Sequence, residues 1–173
     1  MNETALLILA AGKGTRMKSD LPKPLVPVNG EPIVGHLLRT AKKSGISHIS
    51  VVVGHQAELV REFVGDSIKT PLQEVRKGTA HAVEVAKQSV DQAKQLFVFV
   101  GDSPLLSSGS IQRLYDHHQE SGAACSFLTA QFGMSLPYAR VIRGDDGKVV
   151  ACIEERDATD EQKKIKEYLA SHF

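Results

Sequence analysis

The residues best suited to chemistry cluster near the start of the chain, in "LILAAGKGTRMKSDLPKPL" at 7–25, where an apolar run passes into small and basic residues. Gly12 and Gly14 leave backbone N–H groups unobstructed for an anion, and Lys13, Arg16 and Lys23 add charge that does not depend on backbone geometry. The chemistry this suits is phosphate binding. Two common phosphate loops do not fit. A P-loop requires GxxxxGK[ST], but counted from Gly12 the second glycine is missing, since Met17 stands in its place before Lys18. The dinucleotide fingerprint GxGxxG also fails at Met17, and Leu21, Pro22 and Pro24 oppose a helix there. A second candidate, Asp102, closes the run "LFVFVGD"; it could ligate a hard cation or cap the helix after Pro104.

Those residues need elements to hold them. Apolar runs of strand length occur at "ALLILAA" (5–11), "HISVVVG" (48–54), "QLFVFVG" (95–101) and "AACSFLTA" (123–130), and unbroken runs of this kind suit strands covered on both faces. Between them "PIVGHLLRTAKKSG", "AELVREFVG", "TAHAVEVAKQSV" and "SIQRLYDHHQESG" read as helices, the first and last stopping at Gly45 and Gly122. This alternation predicts an α/β domain on a mostly parallel sheet. The glycine loop and Asp102 then share the carboxyl rim, where such folds bind ligands. Asp146-Gly147, between alternating segments, predicts a hairpin and hence a mixed sheet. "ATDEQKKIKEYLASHF" reads as a terminal amphipathic helix, with Asp157 or Thr159 as N-cap and Ile165, Tyr168, Leu169 and Phe173 on one face.

A chain of 173 residues, 42% hydrophobic, is expected to form one domain, 1–173. Lys plus Arg total 21 against 20 Asp plus Glu, a net +1 that gives no reason to expect a nucleic acid or membrane partner. Cys125 and Cys152 have neither zinc nor disulfide spacing, which suits a reducing cytoplasm. Thr79 opens a helix, where its hydroxyl either caps the N-terminus or reaches a ligand. His81 reads as a packed or capping residue, and His117 and His118 as solvated.

Four ordered blocks, "LAAGKGTRM" with "PK" at 22–23, "LQEVRKGTAHAVEVA" at 72–86, "FVGDSPLLS" at 99–107 and "DGKVVACIEERDATDEQKKIKE" at 146–167, carry a resemblance. They resemble the sugar-nucleotide pyrophosphorylases, in particular the uridylyltransferase domain of bacterial bifunctional N-acetylglucosamine-1-phosphate uridylyltransferase/glucosamine-1-phosphate acetyltransferase. The resemblance implies a Rossmann-like three-layer nucleotidyltransferase domain, shortened at its C-terminus relative to the family. It implies attack by a sugar-1-phosphate, N-acetylglucosamine-1-phosphate first, on the α-phosphate of UTP, with Mg2+ as cofactor. It assigns catalysis to Arg16 and Lys23 and the metal to Asp102. Nucleotide contacts fall to Leu9, Ala10, Ala11, Gly12, Gly14, Thr15, Gln73, Gly78 and Thr79, with the Gln73 amide donating and accepting at once on a uracil edge. Sugar contacts fall to Glu154 and Ala139.

Departures from the family bear on the acceptor. Val100 replaces a tyrosine and Ala139 a glycine. Leu169 stands at a sugar-binding asparagine, and the second metal ligand and the acetyltransferase domain have no counterpart. Two further readings follow: a nucleotide-binding module with little catalysis, and a transferase with another base or acceptor. The guanylyltransferases of molybdenum cofactor synthesis illustrate the latter, but they do not account for "LQEVRKGTAHA" or "ATDEQKKIKE". Oligomeric state is not legible.

Overall fold

Strand β1 (Thr4–Leu9) is the centre of a three-stranded parallel sheet, because neighbours pair with it on both edges. β4 (His48–Val52) lies on one side, with Leu6 opposite Ile49, and β5 (Gln95–Val100) on the other, with Leu6 opposite Phe97. Ala5, Leu6, Leu7 and Ile8 are wholly buried, so both faces of β1 are covered. Burial of each of the larger three contributes roughly 1.5–3 kcal/mol. The computed structural model describes residues 1, 3–14, 17 and 19–170.

Between β1 and β4 runs a short hairpin, β2 (Pro27–Val28) and β3 (Glu31–Pro32), turned at Asn29-Gly30. Helix α1 (Ile33–Lys43) follows and buries Ile33, Val34, Leu37, Leu38 and Ala41, the stripe expected from its spacing. It stops as the sequence predicts: Gly45 is left-handed, and Gly45 and Ile46 donate to Lys42 and Ala41 carbonyls. Helix α2 (Ala57–Val64) and helix α3 (Thr79–Val90) lie between β4 and β5. Ala82 and Ala86 of α3 pack on Leu7, Ala11 and Val52, their small side chains bringing the helix close to the sheet.

The chain divides into two compact units, the first running through Gln112 and the second beginning at Arg113, inside helix α4 (Ser108–Ser121). Ser107 caps α4, its Oγ accepting from Ser110 N. The second unit holds an antiparallel sheet ordered β6 (Thr129–Gln131), β9 (Glu167–Leu169), β7 (Arg140–Arg143), β8 (Val149–Ile153). The predicted hairpin is there: Gly147 is left-handed and donates to Gly144 O, and Asp146 accepts from Lys148 N.

Several expectations are corrected. The antiparallel strands form a sheet of their own. In "AACSFLTA" only Thr129 and Ala130 are strand. Leu96 and Val98 of β5 are exposed, so that strand is covered on one face. The terminal segment is helical only at α5 (Asp160–Lys163), where Thr159 and Gln162 form a capping box, and it then becomes β9. Tertiary contacts override the helical spacing, because Tyr168 is wholly buried between β6 and β7. Its hydroxyl accepts from Leu136 N and donates to Met134 O, and its ring lies 4.9 Å from the Arg140 guanidinium. Phe173 lies outside the described residues.

Candidate functional site

From β1 the chain crosses to β4 on one side, and β5 then pairs on the other, so the order β4-β1-β5 puts a topological switch between β1 and β5. Ligands of parallel α/β sheets bind outside the carboxyl ends at such a point. The loop 10–14 leaves β1 there, and Gly101 and Asp102 leave β5 there.

The loop's own bonding shows which of its amides are spare. Leu9 O accepts from Gly101 N at 2.8 Å, and Ala10 N donates to Val52 O at 2.9 Å, so both are committed to the sheet. Among the described residues the N–H groups of Ala11, Gly12, Lys13 and Gly14 donate to nothing. Four successive unpaired amides beside a lysine make a cradle for phosphate oxygens. Gly101 keeps the rim tight, since a Cβ there would fall 2.7 Å from Leu9 O and 3.1 Å from Ala10 Cα. Gly14, at φ +64, has the Lys23 side chain against it; an added Cβ would lie 2.7 Å from Lys23 Cβ. Thr15 and Arg16 lie outside the described residues.

Lys23 begins a 3₁₀ turn, Lys23–Leu25, with Pro22 before it and buried Pro24 after it. Its Nζ donates to Asp102 Oδ2 in an ion pair that spans 79 residues of sequence. Asp102 does not cap α4, a role Ser107 takes. Its other oxygen, Oδ1, is buried and has no hydrogen-bond partner among the described residues. A buried carboxylate oxygen without a donor is costly unless a ligand satisfies it, and a hard cation is the fitting one. No group of three or more metal-ligating side chains occurs among the described residues. A magnesium ion held by one carboxylate together with substrate phosphates fits this donor set.

Gln73 is 4% exposed and sits beside the end of β4, its N–H donating to Val53 O. Its Nε2 lies 3.1 Å from Gly78 O and 3.0 Å from His81 Nδ1. A carbonyl only accepts, so the NH₂ end faces Gly78, and His81 Nδ1 must accept as well, which puts the ring proton on Nε2. Both amide hydrogens are thereby used. Gln73 offers a ligand its Oε1 as acceptor and nothing to donate, which corrects the expectation of simultaneous donation and acceptance. His81 therefore orients Gln73, a role no spacing signal announced. Gly78, at φ +98, occupies the N-cap of α3, so Thr79 is the first helical residue and is not the cap. His118 is not simply solvated: its Nδ1 is 2.9 Å from Ser126 Oγ.

The two sugar candidates belong to the second unit. Arg140 pairs with Ile153, which leaves Ala139 and Glu154 one residue further on each strand, at the same end of the β7–β8 hairpin. Ala139 is buried and its carbonyl accepts from Leu169 N, whereas Glu154 is exposed. Nearby, Arg143 binds Glu167 through two hydrogen bonds of 2.9 and 2.6 Å. Those bonds, opposed by partial burial, hold the Glu167 carboxyl below its ordinary range and raise the Arg143 guanidinium. Desolvation and then the Glu167 charge push the Cys152 thiol up, away from a reactive thiolate.

A glycine loop, a lysine and a carboxylate meeting at the switch point of a parallel sheet define a phosphate-handling α/β domain of the Rossmann-like kind. The chain belongs to the MobA-like NTP transferase domain family, whose match spans residues 6–172. It is 45% identical over 168 residues to the bifunctional protein GlmU of Exiguobacterium sibiricum, covering 96% of this chain and 37% of that protein. With the protein of the same name from Desulfotalea psychrophila it shares 40% identity over 174 residues, 99% of this chain and 51% of the other. The resemblance drawn from the four sequence blocks is borne out, and the chain spans only about a third to a half of these relatives. Among solved structures, a Bacillus anthracis chain described as a glucose-1-phosphate thymidylyltransferase, in complex with a sucrose, superposes with TM-score 0.77 at 18% identity. That match covers 97% of this chain and 69% of the other. HddC from Yersinia pseudotuberculosis, complexed with GMP-PN, gives 0.69 at 22%, covering 87% of this chain and 68% of the other. Both superpositions bear out the fold. No helix among the described residues is long and apolar enough to cross a membrane.

Proposed function

We propose that this chain is a nucleotidyltransferase that joins UTP to a sugar-1-phosphate, N-acetylglucosamine-1-phosphate by preference, and releases pyrophosphate in the cytoplasm. A phosphate oxygen of the sugar-1-phosphate forms a bond to the α-phosphorus of UTP. The bond from that phosphorus to the bridging oxygen breaks, and its electron pair leaves with pyrophosphate. Such a transfer needs little covalent help, since positioning and neutralisation of spreading charge account for most of the acceleration.

The loop amides from Ala11 to Gly14 would hold phosphate oxygens, with Arg16 on the leaving pyrophosphate and Lys23 near the α-phosphate. Asp102 would hold magnesium, which when bound polarises the phosphates and offsets their charge. Gln73 Oε1 would accept from the imide N–H of uracil, while Glu154 and Ala139 would meet the sugar. The observation that carries this reading is the meeting of Lys23 with Asp102 at the rim beside four amides that have no partner among the described residues. The identity to GlmU proteins supports the choice of UTP and of the amino-sugar phosphate.

The test is a UTP titration with and without magnesium, followed by a pyrophosphate-release assay on a panel of sugar-1-phosphates. Magnesium-dependent binding with turnover on N-acetylglucosamine-1-phosphate is expected. Binding without turnover would select the nucleotide-binding module, and turnover only with another triphosphate would select the alternative transferase.

A further inference from the structure

Lys23 holds one of the two oxygens through which Asp102 could ligate a cation, and its charge stands beside the other. One carboxylate oxygen of Asp102, Oδ2, carries the Lys23 ammonium, and the other, Oδ1, is buried without a partner among the described residues. The side chains are 31% and 24% exposed, so the pair is sheltered enough for its attraction to count. The lysine is also fixed at its root, and only its flexible stem carries the tip to Asp102. Its backbone is locked by Pro22 and Pro24 and by the turn bonds Leu25 N to Pro22 O and Val26 N to Lys23 O, and Gly14 abuts its Cβ. The flexible four-carbon stem beyond Cβ lets the ammonium exchange one anionic partner for another.

We propose that Lys23 is a placeholder cation: it keeps Asp102 neutralised and closed to free divalent cations until a nucleotide's phosphates draw the ammonium away. Metal binding is thereby made conditional on the nucleotide. The inference rests on the reading of this rim as a metal–triphosphate site, and it adds an order of assembly. A positive charge within contact of a carboxylate opposes a second cation strongly, so its removal should be visible in metal affinity alone.

The experiment titrates Mn2+ into the nucleotide-free protein and counts free ion by electron paramagnetic resonance, for the natural sequence, Lys23→Gln and Lys23→Met. Both variants should bind Mn2+ about tenfold or more tightly than the natural sequence. Adding Asp102→Asn to either should abolish the gain. Saturating UTP should narrow the difference, because the phosphates then occupy the lysine in the natural protein. Equal Mn2+ affinity in all three nucleotide-free proteins, each shown folded by circular dichroism, would overturn the proposal, as would a gain that survives Asp102→Asn. Failure of this inference is separable from failure of the functional reading. Magnesium-dependent pyrophosphate release in the natural protein, with no Mn2+ gain in the variants, removes the placeholder alone. A chain that neither binds UTP nor releases pyrophosphate removes the functional reading, whatever Mn2+ does.

Discussion

The two units hold themselves together by different means. The first buries an unbroken apolar strand, β1, between two parallel neighbours, and its polar groups gather at the carboxyl rim. The second has few large apolar residues inside and is organised instead by charge and aromatic contact. Arg140, 1% exposed, reaches Tyr138 O and Glu155, with its guanidinium near the Tyr168 ring. Among the described residues the first unit leaves loop amides and one carboxylate oxygen without a partner at its rim, whereas the second holds its strands around a buried guanidinium whose Nε is itself unpaired.

That contrast can be broken at four points. Asp102→Ala should lower pyrophosphate release about a hundredfold, roughly 3 kcal/mol of transition-state stabilisation, without changing the thermal midpoint by more than a few degrees. Unchanged release would show that the rim of the first unit is not where charge is neutralised. Arg140→Met should cost the second unit about 3 kcal/mol, because the Glu155 carboxylate loses its partner and two carbonyls lose a donor. All three tyrosines, Tyr115, Tyr138 and Tyr168, lie in that unit and the chain has no tryptophan, so urea unfolding followed by tyrosine fluorescence reads this loss directly.

Gly101→Ala is the matching probe of the first unit. The added methyl meets Leu9 O and should cost about 1–3 kcal/mol, seen as faster hydrogen exchange in β1 and β5 with tyrosine fluorescence unmoved. The smallest effect concerns pH. Glu167 has its carboxyl lowered in the folded state, chiefly by hydrogen bonds from Arg143. Its contribution is therefore present above the unfolded value of about 4.3 and is lost as pH falls through the lower folded value. Urea midpoints from tyrosine fluorescence should drop more steeply below about pH 4.3 in the natural sequence than in Glu167→Gln. Parallel slopes would show that the Arg143 pair contributes nothing measurable.

Much of the first unit was legible beforehand. β1, β4, β5 and the helices from α1 to α3, with α4 running on into the second unit, fall where periodicity and end signals put them, since each depends on neighbours within a few residues: the stripe of α1, the stop at Gly45, the run "QLFVFV". The second unit was less legible. Tyr168 sits at helical spacing from Ile165, yet it becomes strand because β6 and β7 approach it from 25 or more residues away in sequence, a pairing no local window contains. At the site, glycine and lysine types announced phosphate. The single-acceptor character of Gln73 did not show, because it depends on Gly78 O and His81 meeting one amide in space.

By itself the sequence determined an α/β chain with a phosphate-type loop after its first strand, because residue type and short-range spacing suffice to fix strand, turn and helix ends. Only the tertiary structure decided that Lys23 meets Asp102, that one carboxylate oxygen is left buried without a partner among the described residues, and that the last segment pairs as a strand. Each of these is a contact between distant parts of the chain, set by which strands lie side by side, and no count of intervening residues encodes that.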